Sequence, residues 1–473
     1  MGYNEFYENV NIICEKVRNL IDERKDILII SSSSCDGIIS ASILINSIWK
    51  SGGKASTRFE NNLTLESIDQ LKKEDHEFYL FTDIGTGFTE LFNRLFSKNW
   101  AIFDHKKLSF SEVTIDDNNA VLNPWKYDID GRNEISSGGI SYFVAKNLDK
   151  KFSDLSSLAI ISALGDSQDV GDKKSLIGLN KEILDFSEKN GVIRTDIDLL
   201  LSFNESLPIH ESIANTFVPY LPGLTCDVTK CLELLKKTNI PLKKNGRWRT
   251  IADTMQEEKF LIIETIKEFL STKINGNFEK IETILIGYNY FLPTEQYGSP
   301  VYEARRFSDL LNSCALSKKT GLGTSICLGE RSGALREAMT DEQGFKNSSH
   351  KLVSKILKEK WRFADKGSHV IINADGIIES DYVGYLTRLL TSYYQYNNNK
   401  IIIMKTAIDE DNSKYLLGSF HENIDVEQMV KELSDKIDGI KITFSNRDGQ
   451  MIINPFQEDS LMSIILKQFK IPT

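Results

Sequence analysis

Short apolar runs alternate with helical patterns over the first 195 residues, and this alternation constrains the fold more than any other feature. Four runs have the length and composition of buried strands: residues 27–30, 78–81, 101–103 and 158–161. Patterns with helical spacing lie between them, including Gly37 to Trp49. Strands that alternate with helices build βαβ units, which form a parallel sheet covered by helices. The sequence therefore predicts an α/β domain over residues 1–195, in which all four runs are parallel strands.

A candidate metal centre follows from where these runs end. A polar residue comes shortly after each run, and the four are Asp36, Asp83, His105 and Asp166. The carboxyl ends of parallel strands meet at one edge of a sheet, where ligands bind. Three carboxylates and one imidazole suit manganese or magnesium better than zinc. The alternative is that each Asp caps the helix after it, but four such residues in succession favour a metal site.

Four motifs carry a resemblance to a known family. They are Ser32-Ser33-Ser34-Cys35-Asp36-Gly37, Thr82-Asp83-Ile84-Gly85, Phe103-Asp104-His105-Lys106 and Gly165-Asp166-Ser167-Gln168-Asp169. Their order resembles the DHH phosphoesterase superfamily, and within it the archaeal RecJ-like proteins related to the replication factor cell-division-cycle protein 45. Residues 123–142 also match the archaeal members. The resemblance implies a parallel-sheet DHH domain at the amino terminus.

Three positions depart from the family pattern. Ser32 stands where the family has a histidine ligand, Ser34 where it has an aspartate ligand, and Lys106 where it has the second histidine of the name-giving motif. The resemblance implies that one ion is held by four residues, with Asp104 behind them: Asp36, Asp83, His105 and Asp166. The second ion depends on the replaced positions. Because a two-ion reaction needs both charges, we expect no full nuclease activity and assign no catalytic residue beyond these remnant positions.

The surviving half-site leaves three interpretations open. In the first, the chain is a catalytically impaired replication factor. In the second, it is a manganese-dependent single-strand exonuclease or phosphoesterase that uses one ion, with Lys106 in place of the other charge. In the third, the ion is structural, or ion pairs between Lys106 and the aspartates replace it, because unneutralised carboxylates repel one another. We therefore expect manganese or magnesium at a single site, with no ion as the alternative.

The rest of the chain divides into two regions that differ in the spacing of their apolar residues. Strand signals fade over residues 196–278, where helical spacing at 229–237 and 258–270 predicts a small helical insertion domain. Strand patterns return at 283–287, 370–372, 400–404 and 440–444. Residues 279–473 are therefore predicted to form a second α/β domain. The segment from Glu303 to Gly329 is similar to the family's carboxyl-terminal domain, called DHHA1.

Basic residues suggest where nucleic acid would bind. In the insertion, charges surround one aromatic ring, which suits single-stranded nucleic acid, although a solvated basic loop is the alternative: Lys243, Lys244, Arg247, Trp248 and Arg249. In the DHHA1-like domain, Arg305 and Arg306 are further candidates. Residues 445–450 replace the family's glycine-rich loop. There Arg447 could donate to phosphate, but a turn joining two strands, with Asp448-Gly449 as its chemistry, is favoured.

Charge and targeting signals limit the compartment and the partners. The net charge of −10 argues against a wholly basic nucleic-acid coat protein, but not against a local basic channel. We see no signal segment and no apolar run of membrane-spanning length, so cytoplasm is the expected compartment. By the resemblance, the expected partners are the GINS complex and the replicative helicase, together with single-stranded DNA.

Overall fold

The structure is a computed structural model that describes residues 2–95, 99–107, 119–273, 281–377, 383–394, 400–419, 426–437, 439–445 and 448–468. The chain divides into two compact units, each made of two separate stretches. Unit 1 comprises Met1–Ile197 and Tyr288–Gln343, and unit 2 comprises Asp198–Gly287 and Gly344–Thr473. Residues 288–343 thus belong with the first 197, whereas the sequence grouped them with the carboxyl-terminal residues. The division into 1–195, 196–278 and 279–473 stays a prediction.

Helices and strands alternate along most of the chain. As far as residue 199 they are α1 (Gly2–Asp22), β1 (Asp26–Ser32), α2 (Cys35–Lys50), β2 (Lys54–Glu60), α3 (Leu65–Lys73), β3 (Phe78–Thr82), α4 (Thr89–Leu95), β4 (Asn99–Phe103), β5 (Asn119–Leu122), α5 (Ser137–Leu148), α6 (Ser156–Gly165), α7 (Gly178–Lys189) and β6 (Arg194–Leu199).

The remaining elements are mainly helical up to residue 358. They are α8 (Ile209–Asn215), α9 (Val228–Leu235), β7 (Lys243–Lys244), β8 (Arg247–Trp248), α10 (Gln256–Ser271), α11 (Ile281–Leu285), β9 (Ile286–Phe291), α12 (Ala304–Leu316), α13 (Thr320–Cys327) and α14 (Gly333–Lys358). The last are β10 (Phe363–Asp365), β11 (His369–Asn373), α15 (Val383–Tyr394), β12 (Ile401–Ala407), β13 (Ser413–Gly418), α16 (Val426–Ser434), β14 (Lys441–Ser445), β15 (Asp448–Ile453) and α17 (Glu458–Gln468). No helix in the described ranges combines the length and the apolar composition that a membrane crossing needs.

Unit 1 is built on a five-stranded parallel sheet with the order β2-β1-β3-β4-β5. Successive residues of β1 enter different cores: Ile27 and Ile29 belong to one, and Leu28 and Ile30 to the other. A sheet buried on both faces requires such continuous apolar strands. The predicted α/β class is confirmed. Because the strands are parallel, the carboxyl ends of β1, β3 and β4 meet at one edge of the sheet.

The fourth predicted strand is wrong. Residues 158–161 lie in α6, which is buried at nearly every position. A helix that is apolar on all sides is a core helix, and periodicity alone cannot distinguish a short apolar run in such a helix from a buried strand. Asp166 therefore follows the end of a helix, whereas Asp83 and Asp104-His105 follow the strands β3 and β4.

Unit 2 contains a small helical part and a second sheet. Helices α8 to α11 contribute to a core of their own, which includes Ile213, Cys231 and Ile262. The sheet has the order β10-β11-β12-β13-β15-β14. Strands β11 and β12 are parallel, and the other neighbours are antiparallel. Together with α15 to α17, this sheet confirms the predicted second α/β region.

Two local predictions in unit 2 need correction. The strand predicted at 283–287 begins at Ile286, because α11 extends to Leu285. The turn predicted at Asp448-Gly449 is also corrected, because both residues lie in β15, opposite Ser445 and Phe444 of β14. Asp-Gly is therefore the start of the second strand rather than the turn itself.

Candidate metal centre

Asp36 is held in one orientation by a neighbouring helix. Its Oδ1 accepts hydrogen bonds from the Gly138 backbone N–H at 2.7 Å and from the Ser162 hydroxyl, and its Oδ2 accepts one from the Ser137 N–H at 2.9 Å. Both N–H groups lie in the first turn of α5, where unsatisfied donors and the helix dipole favour a negative charge. This leaves Oδ2 of Asp36 3.4 Å from Nε2 of His105.

His105 presents one ring nitrogen to three carboxylates. Its Nδ1 lies 2.7 Å from the carbonyl oxygen of Gly131 and is assigned as the N–H donor, which directs Nε2 toward the acidic residues. Nε2 lies 3.1 Å from Asp166, 3.4 Å from Asp36 and 3.5 Å from Asp83. None of these contacts with described residues has hydrogen-bond geometry, even the shortest. A buried imidazole nitrogen in such surroundings fits a metal ligand.

Asp36, His105 and Asp166 form the group that can hold an ion. Each offers one ligand atom, and these atoms all lie within 4.8 Å of one another. Two carboxylate oxygens and one imidazole nitrogen suit manganese or magnesium. Asp36 and His105 are fully buried, whereas the Asp166 side chain is 22% exposed. Asp166 is therefore the member of the group that solvent reaches.

The charges in this group favour a bound cation. Burial, together with the charges of Asp83 and Asp166, raises the pKa of Asp36 to about 7. Burial lowers the pKa of His105, but the carboxylates of Asp166 and Asp83 close to its ring outweigh this effect and raise the pKa well above its ordinary value. Without an ion, the group therefore keeps protons near neutral pH, and a metal ion would displace them.

Asp83 faces the same group, but both of its carboxylate oxygens are already bonded. Oδ1 accepts from the Lys106 ammonium at 2.6 Å. Oδ2 accepts from the hydroxyls of Ser34, at 2.7 Å, and Ser32, and these hydroxyls lie 2.8 Å apart. Lys106 also donates to the main-chain oxygen of Asp83. The three residues that depart from the family pattern therefore converge on one carboxylate.

The Lys106 ammonium neutralises the charge of the Asp83 carboxylate, as a second cation would. Burial would raise the pKa of Asp83, but Lys106 and His105 hold it well below its usual range. Burial would lower the pKa of Lys106, but Asp83 and Asp104 raise it. The pair is thus ionised across the ordinary pH range. A further cation beside Asp83 would meet a neutralised carboxylate, two neutral hydroxyls and a fixed positive charge.

Asp104, which was predicted to lie behind the ligands, accepts hydrogen bonds from the backbone N–H groups of Thr86 at 3.3 Å and Lys106 at 3.2 Å. The capping alternative does not hold for the two aspartates at helix ends. Ser34 is the residue that caps α2, although Asp36 lies in its first turn. Asp166 follows the carboxyl end of α6, where an acidic side chain is unfavourable.

Known proteins share this architecture. Residues 204–284 match the family model of the DHH-CID domain. An uncharacterized protein of Methanocaldococcus jannaschii is 28% identical over 324 residues, which cover 66% of this chain and 68% of that protein. CDC45 from Entamoeba histolytica has a TM-score of 0.63 at 15% identity over 98% of both chains. RecJ from Thermus thermophilus, solved with Mn²⁺, has a TM-score of 0.58 at 9% identity, covering 98% of this chain and 55% of that one.

The chain has the fold of RecJ and CDC45, and residues 204–284 match the DHH-CID domain. The predicted resemblance to RecJ and CDC45 is therefore confirmed at the level of the fold. The DHH-CID match covers helices α8 to α10 and most of α11, together with the β7–β8 hairpin. The chain spans little more than half the length of the Thermus RecJ, which has residues beyond the shared region.

The DHH-CID region presents the exposed part of the predicted nucleic-acid surface. Lys243, Lys244, Arg247 and Trp248 form the β7–β8 hairpin, and all four are exposed. The Lys243 ammonium lies 4.3 Å from the centre of the Trp248 ring. That ring also packs on His210, with 4.7 Å between ring centroids. The hairpin therefore combines an anchored aromatic ring with three solvent-facing charges.

Two predicted nucleic-acid residues are buried in ion pairs. Arg249 is 8% exposed and donates to both carboxylate oxygens of Glu258, at 2.8 and 2.6 Å. Arg306 is 6% exposed and pairs with Glu342. The sequence showed a basic residue in each position, but not the carboxylate that neutralises it. In this structure both guanidinium groups are buried against these carboxylates, which does not favour the predicted contact of Arg249 and Arg306 with nucleic acid.

Arg305 and Arg447, the other two predicted contacts, have different outcomes. Arg305 is bonded within unit 1, to Asp169 at 2.8 Å and to the carbonyl oxygen of Tyr288 at 3.0 and 3.1 Å. Its guanidinium thus has a structural use in the DHH fold. Arg447 lies outside the described residues.

Sequence reasoning missed the residues that orient the ligands. The backbone of Ser137 and Gly138 holds Asp36, and a side chain at Gly138 would collide with Ser162. The Gly131 carbonyl fixes the ring of His105. Ser136-Ser137-Gly138-Gly139 was visible as a family-like segment, with a serine cap before a helix as its signal. That this helix faces Asp36 depends on tertiary packing, so the local pattern could not reveal it.

Proposed function

We propose that this chain is a catalytically impaired RecJ-like protein that serves as a replication factor and holds a single divalent ion. The observation that carries the proposal is the convergence of Ser32, Ser34 and Lys106 on Asp83. In two-ion phosphoesterases, a pair of cations activates the attacking water and stabilises the leaving oxygen. Here an ammonium and two hydroxyls surround the carboxylate of Asp83 and satisfy both of its oxygens.

Asp36, His105 and Asp166 are the residues that would hold the remaining ion, because His105 Nε2 is buried beside two carboxylates without a hydrogen bond. A bound ion would act as a Lewis acid toward a phosphoryl oxygen. The chain's own residues fix its place: α5 orients Asp36, and the Gly131 carbonyl orients His105. Such support makes a preformed ion site, which is compatible with a structural or a binding role.

The proposed partners are the GINS complex and the replicative helicase, by likeness to CDC45. Support comes from the structural similarity to the Entamoeba CDC45 over 98% of both chains. Single-stranded DNA is a further proposed ligand of the β7–β8 hairpin, because Trp248 offers a stacking surface beside Lys243, Lys244 and Arg247. A pull-down from native extract with the tagged chain should recover GINS or helicase subunits. Recovery of neither would contradict the proposed role.

A cleavage assay tests the loss of catalysis. Purified protein with manganese should cleave single-stranded DNA, RNA and dinucleotides no faster than its Asp83→Ala variant. The family ligands can then be rebuilt with Ser32→His, Ser34→Asp and Lys106→His together. The rebuilt variant should bind a second ion and gain manganese-dependent cleavage, whereas a control with Ser33→Asp and Lys107→His should not. Cleavage by the original chain above the Asp83→Ala background would overturn the proposal.

A second candidate function is a one-ion exonuclease or phosphoesterase. The position of Lys106 favours it, because an ammonium 2.6 Å from Asp83 supplies a positive charge next to the ion group. In that case Lys106→Gln should abolish a measurable rate while manganese binding persists. If the chain is inactive, the same substitution causes no change in the cleavage rate. The two candidates therefore separate in one assay.

A further inference from the structure

The carboxyl-terminal half of α14 carries a row of lysines that the sequence reasoning did not single out. Lys351, Lys355 and Lys358 are four and then three residues apart, so they lie on one face of the helix. All three are exposed. Within the described part of unit 2, no ion pair involves any of them. Their charges are therefore available to an external anion.

These lysines border an open groove of about 420 Å³. It is lined by His350, Lys351, Ser354, Lys355, Lys358 and Glu359. The acidic residue among them, Glu359, is neutralised by Arg362, whose Nε donates to it at 2.6 Å. His350 is fixed by the hydroxyl of Tyr220, 3.1 Å from its Nδ1. The groove thus has a fixed wall and a rim of three exposed lysines.

An exposed aromatic ring follows directly after this groove. Trp361, two residues beyond Glu359, has 69% of its surface exposed. The Arg362 guanidinium lies 4.1 Å from the centre of its ring. An exposed indole next to cationic side chains offers a face on which a base can stack. Cationic grooves with aromatic rings are how proteins bind single strands, where charges follow the backbone and rings stack on bases.

We propose that the α14 groove is a binding site for single-stranded nucleic acid, in which Lys351, Lys355 and Lys358 contact the phosphates and Trp361 stacks on a base. An acidic polypeptide would match the lysines but would gain little from an exposed indole beside an arginine. The site lies in unit 2 and uses no residue of the metal centre. Nucleic-acid binding at this groove therefore depends neither on the ion nor on the missing catalytic ligands.

The test compares variants of the whole chain by fluorescence anisotropy with labelled oligodeoxythymidylate and oligouridylate. Neutralising Lys351, Lys355 and Lys358 to Gln should weaken binding roughly 10- to 100-fold near 0.1 M salt, and flatten the logarithmic salt dependence by about 2. A control with Lys150, Lys181 and Lys189 changed to Gln, all exposed residues of unit 1, has the same net charge and should bind as the original chain does. The two oligomers show whether DNA or RNA is preferred.

Substitutions of Trp361 distinguish the contribution of base stacking from that of the lysine charges. Trp361→Ala should weaken binding roughly 5- to 100-fold without changing the salt dependence, and Trp361→Tyr should retain most of the affinity. All variants should keep their circular dichroism spectra and their manganese binding. The proposal is overturned if the original chain binds neither oligomer, or if the α14 variant and its control bind equally. It is also overturned if the α14 variant loses binding to polyglutamate but not to the oligomers, since the groove would then recognise acidic polypeptide.

Discussion

The ammonium group of Lys106 lies 2.6 Å from Oδ1 of Asp83, where the family pattern has a second histidine. Ser32 and Ser34 bond the other oxygen of the same carboxylate. These substitutions therefore act together, because each supplies a hydrogen-bond donor to a buried charge that would otherwise lack its cation. In the proposed function, one ion position keeps three ligand residues and these protein groups occupy the other.

Removal of Lys106 should destabilise the protein. Lys106→Met leaves the carboxylate of Asp83 buried without its main partner, which costs about 3–5 kcal/mol in a fully buried pair. Because the Lys106 side chain is 31% exposed, we expect a smaller loss of about 2–3 kcal/mol in the free energy of unfolding. Lys107→Met is the control, since this exposed neighbour lies over the Trp125 ring and its loss should cost about 0.5 kcal/mol. Equal losses in urea unfolding would contradict the account.

Manganese should raise the thermal stability of the protein through three ligands. An ion at 100 times its dissociation constant adds about 2.7 kcal/mol to the folded state. Asp166→Asn and His105→Gln should remove this gain. Asp172→Asn, at an exposed position after the site, should keep it. A melting temperature that is unchanged by manganese in the original chain would instead support ion pairs without any metal.

The ion-free protein should lose stability as the pH rises from about 5 to 8. The pKa of Asp36 is raised to about 7 and that of His105 is also raised, so the folded state binds more protons than the unfolded state in this range. Their contribution is full at low pH and lost as the pH passes the folded pKa values. The lowered pKa of Asp83 acts in the opposite sense, but only below about pH 4.

This pH dependence is measured by urea unfolding in the presence of chelator. The original chain should lose a few kcal/mol across the range, and a variant with Asp36→Asn and His105→Gln should lose much less. Saturating manganese should reverse the trend, because the ion replaces the protons and binds more tightly as the pH rises. Parallel curves for the original chain and the variant would show that these two groups do not titrate as described.

Arg249 and Arg247 should behave differently although they are two residues apart. Arg249→Met leaves Glu258 buried without its partner, and we expect a loss of about 2–4 kcal/mol in the stability of the helical part of unit 2. Arg247→Met, at an exposed position on the hairpin, should change stability by less than about 0.5 kcal/mol and instead weaken binding of single-stranded DNA. Hydrogen exchange of α10 together with an oligonucleotide titration distinguishes the two effects.

The parallel sheet could be predicted because its strands are apolar on both faces and polar residues follow them. Composition and length alone correctly predict strands at Ile27 to Ile30 and at Phe78 to Phe81. Residues 158–161 are equally apolar but lie in a helix. A helix that is buried on every side has no apolar periodicity to distinguish it from a buried strand. Local sequence therefore predicted the sheet edge but not every element that reaches it.

The centre was predictable only in part, for a related reason. Asp36, Asp83, His105 and Asp166 follow predicted runs, and the structure brings all four together. The bonds from Lys106 to Asp83 and from the α5 backbone to Asp36 join segments far apart in sequence. Likewise, the burial of Arg249 and Arg306 depends on distant carboxylates. Long-range partners decide whether a charged residue is a ligand, a substitute for an ion or part of the core.

The central claim is that one ion position survives and the other is occupied by Lys106, Ser32 and Ser34. Calorimetric titration of metal-free protein with manganese measures this directly, as the number of ions bound per chain. We expect the original chain to bind one ion and the His105→Gln variant to bind none. The rebuilt Ser32→His, Ser34→Asp, Lys106→His variant should bind two. Two ions bound by the original chain, or none, would contradict the central claim.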